Sequence, residues 1–206
     1  MKELKVDKNE RILVVAPHPD DEIIGCGGLI SLFGNQCDVL LMTDGCKGHT
    51  VWSESRTRRV RRLEFDTVMK ASGVHDYKCR EIRDRELSRK MNCYSDIDLN
   101  SYDAVFVPNM NEEHPDHKAA SRYLMLKAIQ SFFRGTVYQY EVWTPLKKPS
   151  HLLDISNCIE DKRRLLAMYD SQIKELNYID AALGLNQYRG ALNGTKYAEC
   201  YKRGLI

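Results

Sequence analysis

Short apolar, β-branched runs recur along the chain and alternate with longer segments of helical periodicity. The apolar runs predict strands at 11–16, 38–43, 103–107 and 136–143, with a weaker strand at 77–82. The other segments predict helices at 22–33, 54–72, 115–131 and 159–177. Strands that alternate with helices of this length are joined by crossover connections. The pattern therefore predicts an α/β fold with a mostly parallel sheet.

Length and charge narrow the class of protein. At 206 residues, the chain is expected to form one domain, 1–206, with its own core. Its 31 basic and 29 acidic side chains give a formal net charge of +2, which disfavours nucleic acid or an anionic membrane as the main partner. No apolar run reaches the roughly 20 residues that span a bilayer, and the N-terminus is too polar for a signal peptide. We expect a soluble, cytoplasmic protein with a small-molecule partner, and the sequence leaves homo-oligomer formation open.

A histidine-proline-aspartate frame occurs twice, each time after a predicted strand. Residues 18–21 read His-Pro-Asp-Asp, and residues 114–117 read His-Pro-Asp-His. Proline fixes a turn and starts helices well, so the first and fourth residues of each frame lie about one turn apart and can face the same space. In open α/β sheets the ligand site lies beyond the carboxyl ends of the strands. Brought together there, the two frames would surround one point with His18, Asp21, His114 and His117, with Asp20 and Asp116 beside them.

This set of side chains is typical of a metal site. Three histidine or carboxylate ligands with one open position form the usual catalytic zinc site, and Fe²⁺ can use the same ligands. A bound cation would also offset the cost of clustering three acids, Asp20, Asp21 and Glu22, where a buried strand ends. A single frame of this kind would be an ordinary helix start. Its repetition at equivalent places favours the metal site.

Further motifs give the chain a resemblance to a known family. Ala-Pro-His-Pro-Asp-Asp-Glu at 16–22 precedes Gly-x-Gly-Gly at 25–28, and the second histidine frame follows at 114–117. The looser matches are Thr-Asp-Gly at 43–45, Arg61 with Glu64 and Gly73, Asp-Ile-Ser at 154–156, Lys162 with Ser171 and Gln172, and Tyr-Ala-Glu at 197–199. In this order, over nearly the whole chain, the motifs resemble those of the PIG-L/LmbE family of metal-dependent N-acetyl-sugar deacetylases.

The resemblance implies a fold, an activity and a set of site residues. The fold would be a Rossmann-like, three-layer α/β/α structure, and the reaction would remove the acetyl group from an N-acetylated amino sugar or its conjugate, such as one of N-acetylglucosamine. Zinc would be held by His18, Asp21 and His117. Asp20 would be the general base, and His114 would support the tetrahedral intermediate and protonate the amine. The family arginine expected to contact substrate corresponds to Arg61.

Several assignments stay open at this point. Asp116 can orient His114, as carboxylates orient catalytic imidazoles, or simply begin a helix. Arg61 can pair with Glu64 one turn on, within an arginine run that is mostly expected on the surface. Trp52 can stack on a sugar or anchor a loop.

Two other functional classes compete with the hydrolase. A Mg²⁺-binding phosphoacceptor signalling module with a receiver-like α/β fold would use the paired acids after the first strand. It would leave His114 and His117 without a role. A nucleic-acid binder would use the arginine run, but the near-neutral net charge disfavours it.

Overall fold

A central sheet of eight strands organises the computed structural model, which describes residues 1–204. In chain order the strands are β1 (Lys2–Glu3), β2 (Ile12–Ala16), β3 (Cys37–Thr43), β4 (Asp76–Ile82), β5 (Ala104–Pro108), β6 (Thr136–Tyr140), β7 (His151–Asp154) and β8 (Ala198–Arg203). Their order across the sheet is β1-β7-β8-β6-β5-β2-β3-β4. Within residues 1–204, β8 is the one strand that pairs antiparallel, with β6 and with β7. The prediction of an α/β fold with a mostly parallel sheet is confirmed.

The helices are α1 (Asp21–Phe33), α2 (Glu54–Ser72), α3 (Pro115–Gln130), α4 (Ile159–Ala167), α5 (Asp170–Ile173) and α6 (Tyr178–Ala191). The first three lie where the periodicity predicts them. The single helix predicted at 159–177 is instead α4 and α5, because the chain leaves the helical conformation at Tyr169, where φ is −84° and ψ is 54°. The break directs the buried Tyr169 hydroxyl to the Glu22 carboxyl. Within residues 1–204, no helix is long and apolar enough to cross a membrane.

The strands divide their side chains between two apolar layers. Ile12 and Val14 of β2 face a cluster with α1, α2, α4 and α6, whereas Leu13 and Val15 face a cluster with α3. This alternation follows from the two-residue period of a strand. Because helices pack their apolar side chains against both faces of the sheet, the three-layer α/β/α arrangement expected from the resemblance is confirmed.

The strand order reverses between β2 and β5. From β2 the chain proceeds outward to β3 and β4, whereas from β5 it proceeds in the opposite direction to β6. Loops at such a reversal diverge and leave a crevice beyond the carboxyl ends of the two strands, where α/β proteins bind ligands. The two histidine frames follow β2 and β5, so the topology brings both of them to this crevice.

Helix α1 departs from helical geometry near its middle, at Cys26, where φ is −132° and ψ is 17°. Side chains take over the backbone hydrogen bonds at this kink. The Lys162 Nζ donates to the Ile24 carbonyl at 2.8 Å, and Glu199 accepts from the N–H groups of Gly28 at 2.7 Å and Leu29 at 2.9 Å. The kinked turn is thus held by side chains from two other elements.

Lys162 and Glu199 also form an ion pair of 2.7 Å, and both side chains are inaccessible to solvent. The Tyr201 hydroxyl donates a further hydrogen bond to Glu199 at 2.7 Å. Close packing at the kink requires glycine, because a Cβ on Gly28 would lie 2.3 Å from the Ile155 side chain. The glycines after the first histidine frame therefore allow α1 to pack closely. Their spacing is not that of a dinucleotide-binding loop, which agrees with a packing role.

Candidate functional site

Three polar atoms from the two histidine frames meet at one point of the crevice. The Nδ1 atom of His18 lies 3.2 Å from Asp21 Oδ2 and 3.2 Å from His117 Nε2. The third side of this triangle, from His117 Nε2 to Asp21 Oδ2, is 3.1 Å. His18 follows β2, Asp21 begins α1, and His117 lies in the first turn of α3. The predicted convergence of the two frames is confirmed.

The triangle suits a small divalent cation. Ligand atoms about 2.0–2.1 Å from a tetrahedral zinc ion lie roughly 3.3 Å from one another, close to the separations seen here. All three side chains are buried. Although burial alone raises the pKa of Asp21, the adjacent His117 and His18 rings outweigh it and hold this pKa below its usual range. The donor set therefore fits a metal ion.

The other ring nitrogen of His18 is oriented by two carboxylates. Its Nε2 lies 3.2 Å from Asp116 Oδ2 and 3.3 Å from Asp84 Oδ1. A metal-binding histidine commonly donates its second N–H to a carboxylate, which fixes the tautomer that faces the metal. Asp116 and Asp84 give His18 this support, with Nδ1 left to face Asp21 and His117.

Of the two roles left open for Asp116, the helix-start position is observed, and its carboxylate makes no hydrogen bond with the ring of His114. Besides contacting His18, the carboxylate accepts from the backbone N–H groups of Arg85 at 2.7 Å and Leu87 at 3.1 Å. It is the backbone N–H of Asp116 that contacts His114, by donating to Nδ1 at 3.3 Å. The carboxylate therefore ties the 84–87 loop to α3 and to His18.

His114 is a neutral imidazole with a defined tautomer. Since its Nδ1 accepts a backbone hydrogen bond, the single proton of the neutral ring is on Nε2. Burial lowers the pKa of His114 to about 4, and the neighbouring His18 and His117 rings act in the same direction. This shift favours an uncharged ring at neutral pH. Its ring lies against His18, with centroids 4.6 Å apart.

Asp20 lies beside the triangle and lines the same cavity, but its carboxylate is not one of the three groups that meet there. The backbone of Asp20 has φ of 125°, a conformation that non-glycine residues rarely adopt, and it separates the direction of this side chain from that of Asp21. The Asp20 carboxylate instead contacts Arg61 Nη2 at 3.0 Å. Burial raises the pKa of Asp20 to about 7, although Arg61 opposes the shift.

Arg61 does not form the ion pair with Glu64 that the sequence left open. Its buried guanidinium donates to Asp20, to the Pro19 carbonyl at 2.7 Å and to the Gly45 carbonyl at 3.1 Å. Glu64 instead accepts from the backbone N–H and the hydroxyl of Ser171. Arg61 thus joins α2 to the loops after β2 and β3.

One cavity of about 170 Å³ unites the predicted site residues. Those lining it are His18, Asp20, Asp21, Arg61, His114 and His117. Trp52 is outside this lining; its ring stacks on His49 with centroids 3.9 Å apart, as expected of a loop anchor.

The remaining wall contains residues that the sequence analysis missed. Trp143 and Tyr178 line the cavity with ring centroids 5.0 Å apart. Asp84, Lys47 and Arg85 also line it. Four of these residues lie near the carboxyl ends of β3, β4 and β6, a position that could have drawn attention to them. Tyr178 is the exception, because it begins a helix that the pattern did not predict.

The amino-acid sequence is similar to a known family and to named relatives. A family model described as PIG-L, GlcNAc-PI de-N-acetylase, matches residues 13–128. Diacetylchitobiose deacetylase of Thermococcus kodakarensis is 28% identical, with 92% of this chain and 81% of the relative covered. A probable N-acetyl-alpha-D-glucosaminyl L-malate deacetylase 2 of Bacillus cereus is also 28% identical, with 80% and 84% covered.

A solved structure resembles the whole fold. The N,N'-diacetylchitobiose deacetylase from Pyrococcus horikoshii superposes with a TM-score of 0.83 at 24% identity, and the match covers 96% of this chain and 84% of that chain. At this level of identity the likeness concerns the fold. The family match is independent of it and spans more than half of the chain, including both histidine frames. The chain belongs to the PIG-L family.

Proposed function

We propose that this protein is a metal-dependent hydrolase that removes the acetyl group from an N-acetylated amino sugar or its conjugate. The observation that carries the proposal is the buried triangle of His18, Asp21 and His117, whose ligand atoms lie 3.1–3.2 Å apart at the wall of a cavity that also contains Asp20 and His114. Both curated relatives are named as deacetylases of N-acetylated sugars. Family membership supports the same reaction class.

His18, Asp21 and His117 would hold the metal ion. Two imidazoles and one carboxylate suit Zn²⁺, and Fe²⁺ can use the same set. When bound, such an ion supplies Lewis acidity that polarises the acetamide carbonyl and lowers the pKa of a bound water. The Asp116 and Asp84 carboxylates would keep the His18 ring in its ligand tautomer.

Asp20 would act as the general base. A base with a pKa near the working pH combines a populated basic form with useful proton affinity, and burial raises the pKa of Asp20 to about 7. Arg61 fixes the direction of the Asp20 carboxylate through its 3.0 Å contact. Arg61 also lines the cavity, so its predicted contact with the substrate remains part of the proposal.

His114 would stabilise the oxygen that gains negative charge when the acetamide carbonyl is attacked. The Nε2–H of its neutral ring is a hydrogen-bond donor that needs no prior protonation. Because a neutral imidazole is a poor acid, the proton for the departing nitrogen would come from Asp20, which has received one from the water. This assignment replaces the expected protonation of the amine by His114.

The proposed activity is tested by acetate release from N-acetylhexosamine conjugates with zinc-loaded protein. In Asp20→Asn the side chain keeps its size and can still accept from Arg61, but it cannot take up a proton. We expect this variant to retain its zinc and to lose roughly 10²-fold or more in kcat. Asp161→Asn, a change at an exposed position on α4, is the matched control.

Two results would contradict this assignment. If the parent protein releases no acetate from any conjugate, the proposed activity is wrong. If the kcat of Asp20→Asn stays within a few-fold of the parent value, the base lies elsewhere.

We further propose that the chain is one domain, 1–206. Both apolar layers pack on the same sheet in the part of the chain that the structure describes.

A further inference from the structure

We propose that Glu22 and Tyr169 are positioning residues, which hold the backbone of Asp20 so that its carboxylate faces the cavity as the general base. The inference rests on the proposed deacetylase function and adds two residues to the same site. Both side chains are inaccessible to solvent, and in the described part of the chain neither belongs to the cavity lining. They would therefore act through Asp20 and not by touching the substrate.

Asp20 is the N-cap residue of α1, but its geometry is not that of an ordinary N-cap. Such a residue usually has an extended backbone, and its side chain accepts a hydrogen bond from the first turn of the helix. Asp20 has φ of 125° and ψ of −30°, and within residues 1–204 its carboxylate accepts no capping bond. The carboxylate instead lines the cavity and contacts Arg61. Since this backbone conformation costs free energy in any residue with a side chain, neighbouring groups must hold it.

Glu22 holds the backbone of Asp20 directly. Its Oε2 accepts from the Asp20 N–H at 3.2 Å. A glutamate in the first turn of a helix reaches back to the N-cap N–H in the same way in a capping box, where the N-cap side chain also caps in return. Here the second half of that exchange is missing, because the Asp20 carboxylate is turned to Arg61. Glu22 thus fixes the backbone of Asp20 and leaves its carboxylate available to the cavity.

Tyr169 in turn holds Glu22. Its hydroxyl donates to Glu22 Oε1, the carboxylate oxygen that does not face Asp20. The Tyr169 ring packs in the apolar cluster shared by α1 and α4, where phenylalanine would fill the same space. The hydroxyl is therefore the part of this residue that serves the carboxylate, and its hydrogen bond favours one orientation of the Glu22 side chain. Two hydrogen bonds in series connect the break after α4 to the backbone of Asp20.

A second buried tyrosine–glutamate pair in the same core provides a comparison. The Tyr201 hydroxyl donates to Glu199 at 2.7 Å, and Glu199 accepts from the backbone of α1 beyond its kink, away from Asp20. A pair that only stabilises the core should affect folding when its hydrogen bond is lost. A pair that positions the base should also lower kcat, and this loss should depend on the presence of the Asp20 carboxylate.

Tyr169→Phe removes the hydroxyl and keeps the ring. A catalytic group misplaced by about 1 Å can cost roughly 10²-fold in rate, so we expect kcat of the zinc-loaded enzyme to fall about tenfold. KM and zinc content, the latter from elemental analysis, should stay within about twofold of the parent values, because substrate and metal contacts are unchanged. Tyr201→Phe is the matched control: it should lower Tm by a similar amount and leave kcat within about twofold of the parent.

Glu22→Leu and Glu22→Gln test the acceptor. Glutamine keeps an oxygen for the Asp20 N–H and a polar group for the Tyr169 hydroxyl, whereas leucine keeps neither. We expect Glu22→Leu to lose about tenfold or more in kcat and Glu22→Gln to recover most of that loss. Crystal structures of both variants give a readout that does not depend on turnover. In Glu22→Leu, Asp20 should leave its φ of 125° or lose its 3.0 Å contact with Arg61, and in Glu22→Gln both should remain.

The double variant Tyr169→Phe with Asp20→Asn shows whether the effect passes through the base. Two changes that act through one group are not additive, so the loss of the Tyr169 hydroxyl should change the residual kcat of Asp20→Asn by less than about twofold. A second full loss in this background would mean that Tyr169 acts on the fold as a whole, which would overturn the inference.

The outcomes also separate this inference from the proposed function. If the parent released no acetate from any N-acetylhexosamine conjugate, the deacetylase assignment would fail, and the geometry of Asp20 in the Glu22→Leu crystal structure would still decide whether Glu22 holds it. The positioning role would be overturned if Tyr169→Phe kept the parent kcat. It would also be overturned if Asp20 kept both its backbone conformation and its contact with Arg61 in Glu22→Leu.

Discussion

At the scale of single residues, His18 and His114, which both lie next to the proposed metal ligand His117, differ in their hydrogen-bond partners. His18 faces Asp116 and Asp84 through Nε2, and burial does not prevent these carboxylates and Asp21 from holding its pKa well above the usual value. His114 accepts only a backbone N–H, and burial lowers its pKa to about 4. Two imidazoles with centroids 4.6 Å apart are thereby suited to different roles. The carboxylates orient the ring of His18 as a proposed metal ligand. His114 has no carboxylate partner, so its ring stays neutral and can donate a hydrogen bond.

His114→Ala tests this division. Loss of one donor to a developing oxyanion typically lowers turnover by about 10²–10³, and we expect that loss with zinc content unchanged. Because His114 is already neutral above pH 4, the alkaline side of the pH-rate profile should keep its position in the variant. A stopped assay of acetate between pH 5 and 9, with zinc measured by elemental analysis, gives both quantities.

The control for this prediction is His75→Ala. It replaces a histidine that lies outside the cavity, beside Asp38. If His114→Ala lost its zinc, His114 would be a further metal ligand. If the variant instead lost only the alkaline limb, His114 would act as a charged acid.

At the scale of elements, the sequence predicts those parts of the fold whose side chains follow a simple period. Strands β2, β3 and β5 are uniformly buried, and helices α1 to α3 begin and end close to their predicted bounds. Strands β1, β7 and β8 were missed because they are short, half-exposed or interrupted by charge, and their pairing is set by distant segments. The strand predicted at 136–143 ends at Tyr140, which leaves Trp143 in the cavity wall.

The same limit applies to the candidate site. The histidine frames could be identified because each is a local pattern next to a strong strand. Asp84 follows the weak strand β4, so its position alone could mark it only as a residue near the edge of the sheet. Its role in orienting His18 becomes visible only through their 3.3 Å contact. The pairing of Arg61 with Asp20, 41 residues away in sequence, likewise depends on how α2 packs over the sheet.

Helix α1 shows how a distant ion pair supports the site. The kink at Cys26 lies within the helix whose first turn supplies Asp21, and Lys162 and Glu199 replace its missing backbone hydrogen bonds. Lys162→Met would leave the Glu199 charge buried without its partner. Removing one member of a buried ion pair costs about 3–5 kcal/mol, so we expect a loss of that order in the free energy of unfolding, measured in urea.

Two companion variants sharpen this test. Lys202→Met alters an exposed lysine on the same strand as Glu199 and should change stability by less than about 0.5 kcal/mol. The double variant Lys162→Met with Glu199→Gln removes both charges and should recover part of the loss. A Lys162→Met protein as stable as the parent would mean that the ion pair does not hold the kink.

At the scale of the whole molecule, the triangle of His18, Asp21 and His117 lies on a fold that has its own apolar support. The triangle is formed where β2 and β5 diverge, and apolar clusters cover both faces of the sheet behind it. In small zinc domains the metal replaces a core, and its removal unfolds the chain. Here the three proposed ligands lie on a complete three-layer core, so metal binding and folding should be separable.

Removal of the metal with a chelator should therefore lower stability without unfolding the protein. A ligand at a hundred times its Kd stabilises the native state by about 2.7 kcal/mol, which for a chain of this size corresponds to a Tm change of roughly 5–10 °C. We expect that decrease on chelation, its reversal by added Zn²⁺, and an unchanged far-ultraviolet circular dichroism spectrum at 25 °C. Asp21→Ala and His117→Ala should bind little zinc and show no Tm response to either treatment. Full zinc occupancy in both variants would reject the ligand assignment. Loss of secondary structure on chelation would show that the metal is part of the core, because only a core that depends on the ion unfolds when the ion leaves.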